Sequence, residues 1–269
     1  MAEPAHYLEE SLKVDTSHLI TEDDEPLDNP FQERQQAILT DCLYASWKGF
    51  PEGTPFVSLR NVGVFGSVKE SAIVPDVLLA LGVELLPVNE YRAYFCWEYG
   101  KPPDLVVEVI SKEPGGENTS KLERYRDIGV PYYVVYNPFG FRGERVLKAY
   151  QRHGLSYIDI ANPKILPELG LGFAIWEGSY QGCDGRFLRF VDEHGQLLLS
   201  GDERAEQERE RAEQQRERAE HAHERAEQEH ERAEQEHERA EQERERADAA
   251  QQRAEQLAKK LRELGVDSD

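Results

Sequence analysis

Two short apolar runs, Leu105-Val106-Val107-Glu108-Val109-Ile110 and Tyr132-Tyr133-Val134-Val135-Tyr136, frame a polar segment, Thr119–Gly129, of one helix's length. Both runs are rich in β-branched or aromatic residues and too short for helices, so they read as strands. Pro102-Pro103 precedes the first and Asn137-Pro138 stops the second. Thr119 or Ser120 can cap the intervening helix and Gly129 can close it. Strand, helix and strand over residues 105–136 make a compact crossover unit, which joins parallel strands with a right-handed sense. Further strand-like runs lie at Pro55–Leu59, Val62–Phe65 and Val77–Leu81, and strand-rich sequence continues to Phe190. Turns are expected at Arg152-His153-Gly154 and Cys183-Asp184-Gly185. Ile38, Leu39, Cys42, Leu43 and Trp47 recur at helical spacing, marking an amphipathic helix over residues 31–48 that Pro51-Glu52-Gly53 ends. The mixture predicts an α/β or α+β sheet. It does not predict a doubly wound nucleotide fold, because the chain has no glycine-rich phosphate loop.

Glu108 is the anomaly in this pattern. A lone carboxylate inside a buried strand loses its hydration, at a cost of several kcal/mol unless a cation, a metal or hydrogen-bond donors replace the water. Asp76 has a similar setting, opening the apolar run Val77–Leu81 directly after Pro75. Proline cannot donate a ladder hydrogen bond, so it suits the first position of a strand. If these two strands pair, Asp76 and Glu108 converge at one sheet edge, and a divalent cation such as Mg²⁺ relieves their repulsion. Taken singly, Asp76 reads equally as a turn cap and Glu108 as the partner of a buried Lys or Arg. Taken together they favour a site. Downstream, Ser111–Asn118 is a glycine-rich turn, and Lys121 opens the helix after it. A lysine beside two metal-binding carboxylates can stabilise charge building on a phosphate.

Composition divides the rest of the chain. Residues 1–28 are acidic and irregular, residues 29–200 carry nearly all the aromatic, Gly and Pro residues, and residues 201–269 form a heptad-repeat tail. In the tail, Ala205, Ala212, Ala219, Ala226, Ala233, Ala240, Ala247 and Ala254 fall in one column that Leu261 continues. The column three residues on holds mostly Glu and Gln until Ala250, Leu257 and Leu264. High helix propensity and oppositely charged neighbours predict one helix of roughly 95 Å, with Ser200 and Glu203 as a capping box and Gly265 as its stop. Only the last heptads have the apolar pair that a coiled coil needs, so the tail reads at least as well as a solvated helix without a partner, and its functional reading is weak self-association through Leu257, Leu261 and Leu264. His223, His230 and His237 stand seven residues apart, too far for one metal ion, and read as a solvated face. The net charge of -21 argues against a broad nucleic-acid-binding surface but not against a local basic cleft. Arg124, Arg126, Lys112, Lys121, Arg142, Arg145 and Lys148 supply candidates for such a cleft. Cys42, Cys96 and Cys183 have no metal spacing and suggest no disulfide framework. No apolar segment reaches membrane-spanning length and residues 1–30 lack a signal-peptide core, so a soluble cytoplasmic protein is expected.

Several short motifs occur in a telling order. They are Pro75-Asp76, then Pro103-Asp104-Leu105-Val106-Val107-Glu108-Val109-Ile110-Ser111, then Lys121-Leu122-Glu123-Arg124-Tyr125, then Gly129-Val130-Pro131 running into Tyr132–Pro138. Leu169–Phe173 and Trp176-Glu177-Gly178 follow. This succession resembles the Uma family of restriction endonucleases, within the PD-(D/E)XK nuclease superfamily, over about residues 20–200. The resemblance implies a restriction-endonuclease-like mixed β-sheet core flanked by helices, here with a long C-terminal helix added. It implies hydrolysis of DNA phosphodiester bonds dependent on Mg²⁺, with Mn²⁺ as an alternative ion. Asp76 and Glu108 match the metal-binding acids, and Lys121 matches the catalytic lysine. In the superfamily pattern that lysine stands two residues after the second acid, where this chain has Ile110, and Lys112 is the reserve candidate. Glu33 in the first helix and Asp104 are candidates for an additional acid. The alternative function is a non-catalytic nuclease-fold module that binds or assembles through its helical tail.

Overall fold

The computed structural model describes residues 30–87, 92–110 and 120–263. The arm at residues 1–28, the turn carrying Lys112, and the expected stop at Gly265 lie outside them. Helix α1, Pro30–Ser46, opens on a proline whose fixed φ suits the first helical turn. Strands β1 (Phe56–Arg60), β2 (Val64–Phe65), β3 (Val77–Leu81), β4 (Tyr94–Phe95) and β5 (Leu105–Val109) follow. Helix α2 (Ser120–Ile128) then leads to β6 (Tyr132–Tyr136), β7 (Leu147–His153), β8 (Ser156–Asp159), β9 (Leu171–Tyr180) and β10 (Cys183–Asp192). The fold is α/β, as the sequence predicts, with element ends shifted by a residue or two. The expected strand from Val62 starts only at Val64; Asn61, just past the end of β1, takes a left-handed φ of 51°.

Six strands form one mixed sheet in the order β1-β3-β5-β6-β7-β8. Among neighbouring strands of this sheet only β5 and β6 run parallel, and α2 is their crossover. Every residue of β3, β5 and β6 is buried, as expected for central strands covered on both faces. Alternate residues feed two cores. Val77, Leu79, Val107, Val109 and Val134 pack with α1 and the β9–β10 hairpin. Leu78, Ala80, Val106, Ile110 and Val135 pack with Tyr125 of α2. Glu108 shares the parity of Val106 and Ile110, so it belongs to the α2 face.

The hairpin corrects one expected turn. Cys183-Asp184-Gly185 lies inside β10, and the chain reverses two residues earlier. There Gln181 and Gly182 both take positive φ (47° and 73°), the requirement of a two-residue type I′ turn. Gly185 is a glycine for another reason: a Cβ there would sit 2.9 Å from the ring of Phe31.

Residues 1–204 and 205–269 form two compact units. In the first, Arg189 is 1% exposed and its guanidinium holds Glu203 by two bonds of 2.7 and 2.6 Å while lying 4.9 Å over the Trp176 ring. The expected capping box is present, with Ser200 N–H donating to Glu203 Oε2 (2.8 Å) and Glu203 N–H to Ser200 Oγ (3.3 Å). Helix α3 runs unbroken over Gly201–Glu263, 63 residues, or about 95 Å at the standard rise. Beyond residue 204 its described side chains are exposed, Leu257 and Leu261 included. No described helix is long and apolar enough to cross a membrane.

Candidate active site

The register of the central sheet brings the two acids together. Val77 of β3 stands opposite Val107 of the antiparallel β5, so Asp76 stands opposite Glu108 one step further along. Opposite residues of an antiparallel pair point to the same face. Asp76 sits at the sheet's end, where α1 reaches it, and Glu108 is 2% exposed beneath α2. Glu108 Oε2 accepts a hydrogen bond from Lys121 Nζ at 2.8 Å, and Oε1 accepts one from the Tyr125 hydroxyl at 2.6 Å. Lys121 and Tyr125 are four residues apart on α2, so both project from one helical face onto one carboxylate. Asp76 Oδ2 accepts from the Val109 N–H (2.6 Å), and Oδ1 accepts from Gln36 Nε2 (2.7 Å).

Electrostatics follow from this burial. Loss of water pushes the Glu108 carboxyl up to about 7, with Asp76 adding repulsion while Lys121 and the Tyr125 hydroxyl act in the opposite direction. Burial, together with the Glu108 charge, holds the Tyr125 hydroxyl protonated well above its ordinary range. The pair is therefore a strained place for negative charge. Two hard oxygen donors on adjacent strands suit Mg²⁺, which commonly takes one or two carboxylates and fills its remaining positions with water and substrate phosphate. No cluster of three acidic, His or Cys ligands occurs among the described residues, and this donor pattern does not need one.

The other sequence candidates have partners of their own. Asp104 is at the opposite end of β5, roughly 13 Å from Glu108 along the strand. Its Oδ2 takes the Leu81 N–H (2.7 Å) and Lys101 Nζ (2.6 Å), so it fastens β3 to β5. Glu33 faces Arg34 (2.6 Å) and Arg60 (3.9 Å). Arg124 donates to the carbonyls of Ser71 and Ala72, Arg126 pairs with Asp127, Arg145 with Asp159 and Lys148 with Glu144. These four basic residues are thus engaged within the protein.

Three residues of the site escape the sequence reading. Tyr125 is one, although its spacing from Lys121 is a usable signal. Gln32 and Gln36 are the others. Both are buried on α1, and Gln32 Nε2 donates to the Val109 carbonyl (3.2 Å), while Gln36 Oε1 accepts from Asn61 Nδ2 (2.9 Å). Residues 22–171, more than half of the chain, match the family model Uma2, whose description reads "Putative restriction endonuclease". The chain belongs to the Uma2 family. No curated protein matches the chain. The Uma2 match includes β1 to β8 and α2, and with them Asp76, Glu108 and Lys121; α3 lies beyond it. For a Uma2 member the coarse functional class is that of a nuclease.

Proposed function

We propose that this protein hydrolyses DNA phosphodiester bonds with the help of a divalent cation, Mg²⁺ or Mn²⁺, held by Asp76 and Glu108. The observation that carries this reading is the buried Glu108, faced by Asp76 across the strand pair and touched by Lys121. A structural role at this position would be better filled by an apolar residue, in a strand whose other residues are all apolar. When bound, the cation supplies Lewis-acid polarisation of the phosphate and a water acidic enough to be a nucleophile at neutral pH.

The chain's own residues do the rest. Gln36 and the Val109 N–H fix the Asp76 carboxylate, and Tyr125 fixes that of Glu108, so both present oxygens without reorganising. Lys121, 27% exposed at its side chain, spans the buried acid and the solvent side. From there its ammonium neutralises charge growing on the non-bridging phosphate oxygens.

Net charge does not oppose this reading as strongly as the total suggests. Of the -21, residues 1–29 carry -8 and residues 201–269 carry -9, leaving -4 on residues 30–200. We assign the tail a separate role, weak self-association through the leucines of its last heptads, in a cytoplasmic setting.

Supercoiled plasmid tests the reading. The full-length chain should nick it in Mg²⁺ or Mn²⁺ but not in EDTA, and Asp76→Asn and Glu108→Gln should each abolish nicking while preserving the circular dichroism spectrum. Undiminished nicking by both variants would remove the carboxylates from the reaction. Binding of the metal without any nicking would favour the non-catalytic module.

A further inference from the structure

At the end of the sheet where Asp76 and Glu108 meet, one large aromatic ring stands in solvent: Phe139 is 56% exposed. Strands β5 and β6 run parallel with Val109 beside Tyr136, so the loop leaving β6 emerges at the same end as the carboxylates. That loop is locked. Asn137 is fully buried; its Nδ2 donates to the Phe141 carbonyl (3.0 Å) and its Oδ1 accepts from the Phe141 N–H (2.9 Å). Gly140 completes the turn at φ 63°, with its N–H donating to the Asn137 carbonyl.

The Phe139 ring is also braced from behind. Its centroid lies 5.2 Å from that of Phe31 and 5.4 Å from that of Phe141. Phe31 stacks in turn on Phe187, at 5.1 Å and 21°. The next residue, Gln32, donates to the Val109 carbonyl, so this aromatic support is joined directly to the backbone beside Glu108. A single exposed phenylalanine is ordinary on a protein surface. An exposed ring held outward by a hydrogen-bonded turn and backed by other rings, at the end of the sheet that carries the proposed site, calls for an occupant.

The nuclease class of the family indicates which one. Every nucleic-acid base offers an aromatic side chain a π-face whatever its sequence, and single-strand sites join such stacking to cations along the backbone. Within an intact duplex those faces are already stacked.

We infer that Phe139, braced by Phe31, is a stacking platform for an unpaired base of the nucleic-acid substrate, so that the protein prefers single-stranded or locally opened DNA to intact duplex. This rests on the nuclease reading of the site, and it concerns binding rather than bond cleavage.

The test is binding of a fluorescently labelled oligothymidylate, and of a blunt duplex of mixed sequence, by the full-length chain in EDTA at low salt, where no metal-dependent cleavage takes place. Phe139→Ala should raise Kd for the single strand roughly 5- to 150-fold, the range that loss of one stacked base gives, and leave the duplex Kd nearly unchanged. Phe139→Trp should bind the single strand at least as tightly as wild type and add tryptophan quenching on binding. Equal Kd for wild type and Phe139→Ala overturns the inference, as does a wild-type chain that fails to bind the single strand. Altered sedimentation of Phe139→Ala with unchanged oligonucleotide binding overturns it too, and makes a protein the occupant. If the oligonucleotide results are as expected but wild type never cleaves in Mg²⁺, only the nuclease reading falls.

Discussion

Replacing Glu108 by Gln should stabilise the protein at high pH relative to low pH. Glu108 is 2% exposed, and burial raises its carboxyl from 4.5 to about 7. The folded state therefore binds the Glu108 proton more tightly than the unfolded chain. The stability this contributes is fully present below about pH 4.5 and is lost as pH rises through about 7. The shift corresponds to about 3 kcal/mol. Gln cannot titrate, so the stability difference, variant minus wild type, should climb by about 3 kcal/mol between pH 4.5 and pH 8. Any fixed cost of the new amide beside Lys121 and Tyr125 is common to both pH values and drops out. With a urea m value of about 2 kcal/mol/M, the midpoint difference moves by about 1.5 M. Trp47, Trp97 and Trp176 all lie before residue 205, so tryptophan fluorescence in EDTA follows this unit without signal from the helical tail. A difference that stays flat across the pH range would refute the reasoning, because Glu108 would then be ionised in the fold without penalty.

Lys121→Met should lower the rate of metal-dependent cleavage by on the order of 10²- to 10³-fold, comparable to losing one transition-state donor, while Mn²⁺ binding persists. An unchanged rate would transfer the role to another cation, Lys112 being the reserve. Tyr125→Phe removes the 2.6 Å bond to a buried charge and should cost about 1.5–3 kcal/mol at pH 8, read by the same urea experiment; no loss would mean that the hydroxyl does not support the carboxylate. Leu257→Glu with Leu261→Glu should lower the sedimentation-equilibrium mass at high protein concentration towards that of a monomer, and an identical mass would exclude these leucines as a seam.

Much of this organisation is legible in the sequence because local signals and tertiary demands agree. The 105–136 crossover combines two strand-length apolar runs, a capped helix and proline punctuation, and the structure builds it as β5-α2-β6. Asp76 and Glu108 stand out for the same reason, as charges where the pattern asks for apolar residues. Their alignment depends on register, which the apolar pattern fixes only after the strands are known to be neighbours. The partners of the acids are harder to read. Gln32, Gln35, Gln36 and Thr40 lie on the buried side of α1, but a reading that follows only apolar spacing passes over a polar buried face. Asp104 shows the converse. It shares the strand parity of Glu108, yet serves to close the far end of β5, because parity gives a face and not a position along the strand. The displaced turn at Gln181-Gly182 has the same lesson: Asp184-Gly185 has turn composition, but packing against Phe31 is what requires that glycine.

Isothermal titration with Mn²⁺ at pH 8 addresses the centre of the account most directly. The wild-type chain should show saturable binding that Asp76→Asn and Glu108→Gln each weaken at least tenfold, whereas Asp104→Asn leaves it unaltered. Absence of binding to wild type, or equal binding to all four proteins, would contradict the assignment of this carboxylate pair as a cation site.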